Sequence, residues 1–205
     1  MNPDTKLRYI SGLDLGQTQD FTALAVLEQT THPDPEKAGQ TVRHYAVRHL
    51  ERFKLGTSYT AVCARLVTLF AAPPLKRSTL AVDQTGVGRP VIDMLQKSPI
   101  EAWIRPITIT GGHKATPAVT GGWLVPKKEL VSVLQVMLQA RRIKVAPSLP
   151  EAATLVRELT TFQVKITPAA NEVFGAWREG AHDDLVLAVA IAVWQAERRL
   201  EAWVL

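Results

Sequence analysis

The stretch Tyr9-Ile10-Ser11-Gly12-Leu13-Asp14-Leu15-Gly16 decides how this chain reads. It predicts a strand. Successive strand side chains point to opposite faces, so Ile10, Gly12 and Asp14 share one face and Ser11, Leu13 and Leu15 the other. Asp14 therefore stands at the carboxyl end of the strand, opposite the leucines, with a residue lacking a side chain two positions before it. Ser78-Thr79-Leu80-Ala81-Val82-Asp83 repeats the arrangement: Leu80 and Val82 point one way, Ala81 and Asp83 the other. As parallel neighbours, the two strands set Asp14 and Asp83 side by side, about 5 Å apart at the backbone. Gly12 and Ala81 leave room above the sheet for another element.

Outward from these strands the pattern is α/β. Phe21–Gln29 and Thr41–Phe53 predict strands that complete an antiparallel meander, and Thr30–Gln40, with Pro33, Pro35 and Gly39, is a loop. From Thr57 or Ser58 as N-cap, Tyr59, Val62, Cys63, Leu66, Val67 and Phe70 follow the spacing of an amphipathic helix. Pro73-Pro74 closes it. Gly88–Lys97 predicts a helix and Ala102–Thr110 a strand. After the Gly-rich stretch Gly111–Gly122, Pro126 opens a helix with Leu130, Val133, Leu134, Met137 and Leu138 on one face. Arg142–Ala146 predicts a strand. Ser148-x-x-Glu151 reads as a capping box for a helix ending near Thr161, and Phe162–Thr167 and Val173–Arg178 as short strands. Ala181 to about Leu200 predicts a helix apolar on nearly every side, and such a helix is buried. Helices then cover a mixed sheet.

The 205 residues, 46% hydrophobic and 21% charged, suit one domain with a sizeable core and exclude a disordered or collagen-like chain. The longest apolar runs, such as Leu185–Trp194, fall short of the ~20 residues of a membrane span. The polar first residues carry no secretory apolar segment. Cys63 is the one cysteine, which excludes an internal disulfide and a Cys/His zinc cluster. It lies on an apolar stripe and reads as a packed thiol. These features imply an intracellular, reduced setting. The net charge of +5 mildly favours an anionic partner.

A third acidic position is His182-Asp183-Asp184, at the start of the buried last helix. Asp184, Ala188, Ala192 and Ala196 form an i, i+4 stripe of small side chains, which fits against the small-residue face of the sheet and brings Asp184 towards Asp14 and Asp83. Asp183 is its rival, one residue out of phase, and either carboxylate can also serve as a helix cap. Converging carboxylates repel one another unless a cation neutralises them. An oxygen-rich set suits Mg2+ or Mn2+, and two such ions about 3.5–4 Å apart can clamp the attacking and leaving oxygens of a phosphodiester.

Three motifs in order then carry a resemblance: Gly12-Leu13-Asp14-Leu15-Gly16 with Asp20 and Thr22–Val26, Ala81-Val82-Asp83-Gln84-Thr85-Gly86-Val87-Gly88, and Gly180-Ala181-His182-Asp183-Asp184-Leu185-Val186-Leu187-Ala188. Together with Gly122–Leu130, the chain resembles the nuclease domain of tailed-phage terminase large subunits over about residues 8 to 200. The resemblance implies a ribonuclease H-like fold, with a central sheet in the order 3-2-1-4-5 and helices on both faces, and the whole chain, 1–205, as a single nuclease domain. It implies a metal-dependent endonuclease that cleaves double-stranded DNA during viral genome packaging, in the host cell cytoplasm. Asp14, Asp83 and one or both of Asp183 and Asp184 would be catalytic and hold two Mg2+ or Mn2+ ions, with Asp20 an accessory acidic position. A terminase ATPase domain, the small terminase subunit and the portal would be its partners, and no membrane is involved. No G-x-x-x-x-G-K-[ST] phosphate loop occurs in the chain, so translocation is not assigned to these residues.

Four basic residues are candidate DNA contacts. Arg89 follows the glycines Gly86 and Gly88, Lys114 lies within the Gly-rich insertion Thr110–Val125, read as a hairpin or mobile loop, and Lys127 and Lys128 stand just beyond it. Trp103, Trp123, Trp177 and Trp194 read as core or loop anchors rather than base-stacking platforms. Two other functions stay open: a lobe of an actin-like or sugar-kinase-type ATP phosphotransferase, which Asp14-Leu15-Gly16-Gln17-Thr18 also resembles, and a non-catalytic DNA-packaging module.

Overall fold

The computed structural model describes residues 6–16, 20–86, 88–166, 172–176 and 182–198. The far end of the expected strand Val173–Arg178, Trp177, Thr18 and both ends of the expected helix 181–200 lie outside the described residues. Eight strands build the main sheet: β1 (Lys6–Asp14), β2 (Ala23–Pro33), β3 (Thr41–Arg52), β4 (Ser78–Asp83), β5 (Ala102–Thr110), β6 (Thr116–Pro117), β7 (Trp123–Pro126) and β8 (Ile143–Val145). The helices are α1 (Tyr59–Phe70), α2 (Gly88–Lys97), α3 (Lys127–Gln139), α4 (Ala152–Thr161) and α5 (Asp184–Glu197). A separate antiparallel pair, β9 (Phe162–Ile166) and β10 (Glu172–Ala176), lies between α4 and α5 in sequence.

The sheet order is β6-β7-β5-β4-β1-β2-β3-β8. The expected 3-2-1-4-5 core is present and extended at both edges. Strands β1, β2 and β3 form the antiparallel meander, while β4 runs parallel to β1 and β5 parallel to β4. The Gly-rich insertion becomes the small antiparallel pair β6–β7, and β7 joins the sheet beside β5. Glu129 anchors this region, its carboxylate accepting from the amide of Ala115 at 3.0 Å and from the indole of Trp194 at 2.7 Å.

Strand alternation sorts the core into two halves. Leu13, Leu15, Leu24, Val26, Leu80 and Val82 pack under α1 and α2 with Val62, Leu66, Phe70, Val91 and Leu95. Cys63 is buried there, and burial pushes its thiol above the ordinary range. On the opposite face α5 is covered by α3 and α4, and every residue from Asp184 to Trp194 is buried. Each fully buried Leu, Val or Ile contributes about 1.5–3 kcal/mol. Register aligns Ala25, Gly12 and Ala81 on neighbouring strands, and this row is the trough that receives α5. The contact is backbone to backbone: a Cβ on Gly12 would lie 2.0 Å from the carbonyl oxygen of Ala188 and 2.8 Å from the amide of Ala192.

Two expectations are corrected. Ser148-x-x-Glu151 is not a capping box: α4 begins at Ala152 behind Glu151, which sits at φ 64° with no side-chain cap bond. Pro150 explains this, because the residue before a proline is held out of helical backbone and Leu149 cannot start the helix. Trp103 is no core anchor either, since β5 turns it outward with 57% of its surface exposed.

Candidate metal centre

The register that aligns Gly12 with Ala81 carries the next same-face residues, Asp14 and Asp83, to the carboxyl ends of β1 and β4. On the other side Asp14 is opposite Ala23, and Ala23 is opposite Arg52. Arg52, Ala23, Asp14 and Asp83 thus form one row across four strands, immediately beyond the trough. Because α5 lies in that trough, its first residue, Asp184, comes down at this row. Asp14, Asp83 and Asp184 are all buried, at 7%, 8% and 4% exposure.

Each carboxylate has a distinct setting. Asp83 accepts from the amide of Thr85 at 2.8 Å and from its hydroxyl at 2.5 Å, and that hydroxyl in turn accepts from the amide of Ile109 at 2.8 Å. Asp184 takes the Arg52 guanidinium at 3.3 Å, and the His182 ring nitrogen lies 3.8 Å from it. Phe21 packs on both of these partners, edge to the His182 ring at 4.8 Å and face to the Arg52 guanidinium at 3.8 Å. Asp183 pairs with Lys127 at 3.0 Å. Asp20 is exposed, yet one ligand atom each of Asp20, His182 and Asp184 lies within 4.8 Å of the others.

Neither aspartate of the pair caps α5 through its side chain. Glu158 of α4 does so, one carboxylate oxygen accepting from the amides of Leu185 at 2.9 Å and Val186 at 3.1 Å. Asp183 and Asp184 are thereby both left to the centre. Glu158, 5% exposed, also sits 3.8 Å from Arg52.

The electrostatics are those of a crowded acid site. Burial raises the Asp14 carboxyl well above its ordinary range, and repulsion from Asp83, Asp184 and Asp183 adds to it, against a smaller pull from Lys127. Burial also raises Asp83, opposed by the Thr85 hydrogen bonds, and Asp184, opposed by Arg52 and His182. Glu158 is pushed up to about 7, chiefly by burial. Among the described residues, carboxylates outnumber the two neighbouring cations, Arg52 and Lys127. An excess of oxygen donors at one place, with Asp14, Asp83 and Asp184 raised by burial, fits a hard divalent cation.

Of the residues anticipated from sequence, Asp14, Asp83, Asp183, Asp184 and Asp20 all come to this end of the sheet. Lys127, expected as a DNA contact, is turned towards the carboxylates. Lys114 and Lys128 are exposed. Arg89 lies on the rim, 3.6 Å from Asp93 and 3.5 Å from the carbonyl of Thr120. Sequence reasoning missed Arg52 and Glu158. Their signal was a charge at a core position: Arg52 follows inward-facing Leu50 by two residues, and Glu158 follows buried Leu155 by three.

No family model matches the chain. It is 25% identical over 189 residues to the terminase large subunits of Thermus phage G20c and Thermus virus P23-45, matching 92% of this chain and 32% of each relative. The chain thus spans about a third of the length of these curated relatives. Its fold is similar to that of the large terminase nuclease from thermophilic phage G20c with bound magnesium, at TM-score 0.64 and 25% identity, covering 95% of this chain and 83% of that one. The nuclease domain of the bacteriophage SPP1 large terminase with bound manganese shares the fold at TM-score 0.52 and 12% identity, covering 92% of this chain and 86% of that one.

Proposed function

We propose, on the premise that this chain is homologous to the large terminase nucleases and has their ribonuclease H-like fold, that residues 1–205 form one endonuclease domain cutting double-stranded DNA during viral genome packaging. The observation that carries this reading is the convergence of Asp14, Asp83 and Asp184, from two strand ends and a helix start, in one buried centre whose acids are not balanced by its cations. Asp14, Asp83, Asp183 and Asp184 would hold two Mg2+ or Mn2+ ions, with Asp20 and His182 at the open side. Bound there, such ions would neutralise the acids and would supply activation of water and stabilisation of a departing oxygen.

The chain's own residues set the conditions for this. Thr85 fixes the Asp83 carboxylate in one orientation, and Arg52 with Glu158 fixes the first turn of α5 and so Asp184. Lys127 offsets part of the acid charge beside Asp183. Arg89, Lys114 and Lys128 supply positive charge on the rim for the phosphate backbone, and because such contacts carry no sequence information the reading is of a sequence-tolerant cutter. A terminase ATPase domain, the small subunit and the portal are the proposed partners, in the host cytoplasm.

The test is plasmid cleavage with Mg2+ or Mn2+ against EDTA, beside an ATP hydrolysis assay. Cleavage that disappears in Asp14→Asn and Asp83→Asn, while the melting curve stays cooperative, is the expected result. ATP turnover without cleavage would move the assignment to a phosphotransferase. Neither activity, with no heat of Mn2+ binding by calorimetry, would move it to a non-catalytic packaging module.

A further inference from the structure

A groove of about 950 Å³ lies at the other end of α5, where β1, β4 and β5 begin. Among the described residues Arg8, Arg43, Lys76, Arg77, Arg105 and Arg198 line it, and no aspartate or glutamate does. Three of these cations are engaged: Arg43 donates to the carbonyls of Ala196 and Glu197, Lys76 pairs with Glu101 at 2.9 Å, and the Arg198 guanidinium lies 3.0 Å from the centre of the Trp123 ring. Arg8, Arg77 and Arg105 are exposed, and their side chains make no hydrogen bond or ion pair among the described residues. Arg77 is held at φ 57°, a left-handed conformation that L side chains disfavour, with its amide donating to the carbonyl of Glu101 at 2.7 Å.

Register places Arg8, Trp103 and Arg105 on the same sheet face as Gly12 and Ala81, the face that carries the carboxylates. The 14 residues of α5 separate the two ends by about 20 Å. Three guanidinium groups without counter-charge among the described residues, beside one groove, call for an anion. Their planar forks match phosphate oxygens. An acidic peptide would satisfy the same charges but gives no partner to Trp103, whose ring stands open on that wall. A nucleic acid satisfies both, because phosphates take the cations and a base or sugar takes the ring.

We propose that this groove is a second DNA site, in which Arg8, Arg77 and Arg105 hold the phosphodiester backbone and Trp103 stacks on an accessible base. The identity of the nucleic acid as DNA rests on the nuclease reading; the binding itself needs no metal. The test is fluorescence anisotropy in EDTA, with a labelled single strand and a labelled duplex of roughly 30 nucleotides per strand, at several salt concentrations.

The expected result is that the triple variant Arg8→Ala/Arg77→Ala/Arg105→Ala binds at least about tenfold more weakly. The slope of log affinity against log salt falls by about 2–3. Trp103→Ala weakens the single strand more than the duplex. The triple lysine variant keeps most of the affinity, and melting curves verify that each variant is folded. Should the triple alanine variant melt early, the single exchanges Arg8→Glu and Arg105→Glu, both on exposed strand positions, read the same loss.

Unchanged affinity and slope would overturn the proposal. So would loss of poly-glutamate binding with DNA binding intact, which would make the groove a docking surface for an acidic protein segment. Cleavage that fails while EDTA binding persists removes the nuclease reading and leaves the groove; the reverse pattern removes the groove and leaves the nuclease.

Discussion

Asp14 shows how a single residue ties stability to function. Its carboxyl, like those of Asp83, Asp184 and Glu158, is raised above the ordinary range, so the folded chain binds more protons than the unfolded one. Stability contributed by these groups is full below the unfolded carboxylate range and is lost as pH rises through the folded values. For Glu158 that window runs from 4.5 to about 7. In EDTA, the melting temperature of the chain therefore falls as pH rises across it, which differential scanning calorimetry will read. Asp14→Asn removes one repelling charge and raises the melting temperature in EDTA at neutral pH by about 2–4 °C, while abolishing cleavage. Mn2+ raises the melting temperature of the parent chain and leaves that of Asp14→Asn much less changed. The acids at 14 and 83 were legible in sequence because strand alternation alone puts each opposite its leucines. The choice between 183 and 184 was not, because helix phase depends on where the helix is capped, and the cap is Glu158, a residue 26 positions away.

At the scale of elements, the trough and the helix in it define the geometry. Gly12→Ala places a carbon against the Ala188 carbonyl and costs at least about 3 kcal/mol, whereas Gly111→Ala, with nothing within 4 Å, stays within about 0.5 kcal/mol. Urea denaturation of the two variants will separate them. Glu158→Ala strips the acceptor from two amides of a buried helix end, for about 2–4 kcal/mol. It lowers kcat with little change in KM, while Glu158→Gln, which keeps an acceptor oxygen, restores most of both. The α5 stripe and the small residues Gly12 and Ala81 could be read from spacing, since a 3.6-residue period and a two-residue period each leave a plain signature. The start of α4 misled because a local motif was overruled by Pro150, and Trp103 misled because an aromatic residue in a strand reads as core until the neighbouring strands are known.

On the scale of the whole molecule, the fold sets an acidic pole and a basic pole at the two ends of one buried helix. The sheet core was foreseeable from the strand sequence and its connections. At its edges Arg142–Ala146 was legible as a strand and the Gly-rich insertion as a hairpin or mobile loop, but not the strands they join, because β6 and β8 are only 2 and 3 residues long and their place depends on their neighbours. The sequence carries no P-loop, so the isolated chain is expected to show no ATP turnover above background under conditions where it cuts plasmid. Among the described residues no helix is long and apolar enough to cross a membrane. Glu158 fastens the first turn of α5 to α4, so the third buried acid reaches the row of Asp14 and Asp83 only where both helices are in place. On the proposed reading, a copy cut short before residue 184 would keep two of the acids and lack the one that closes the set.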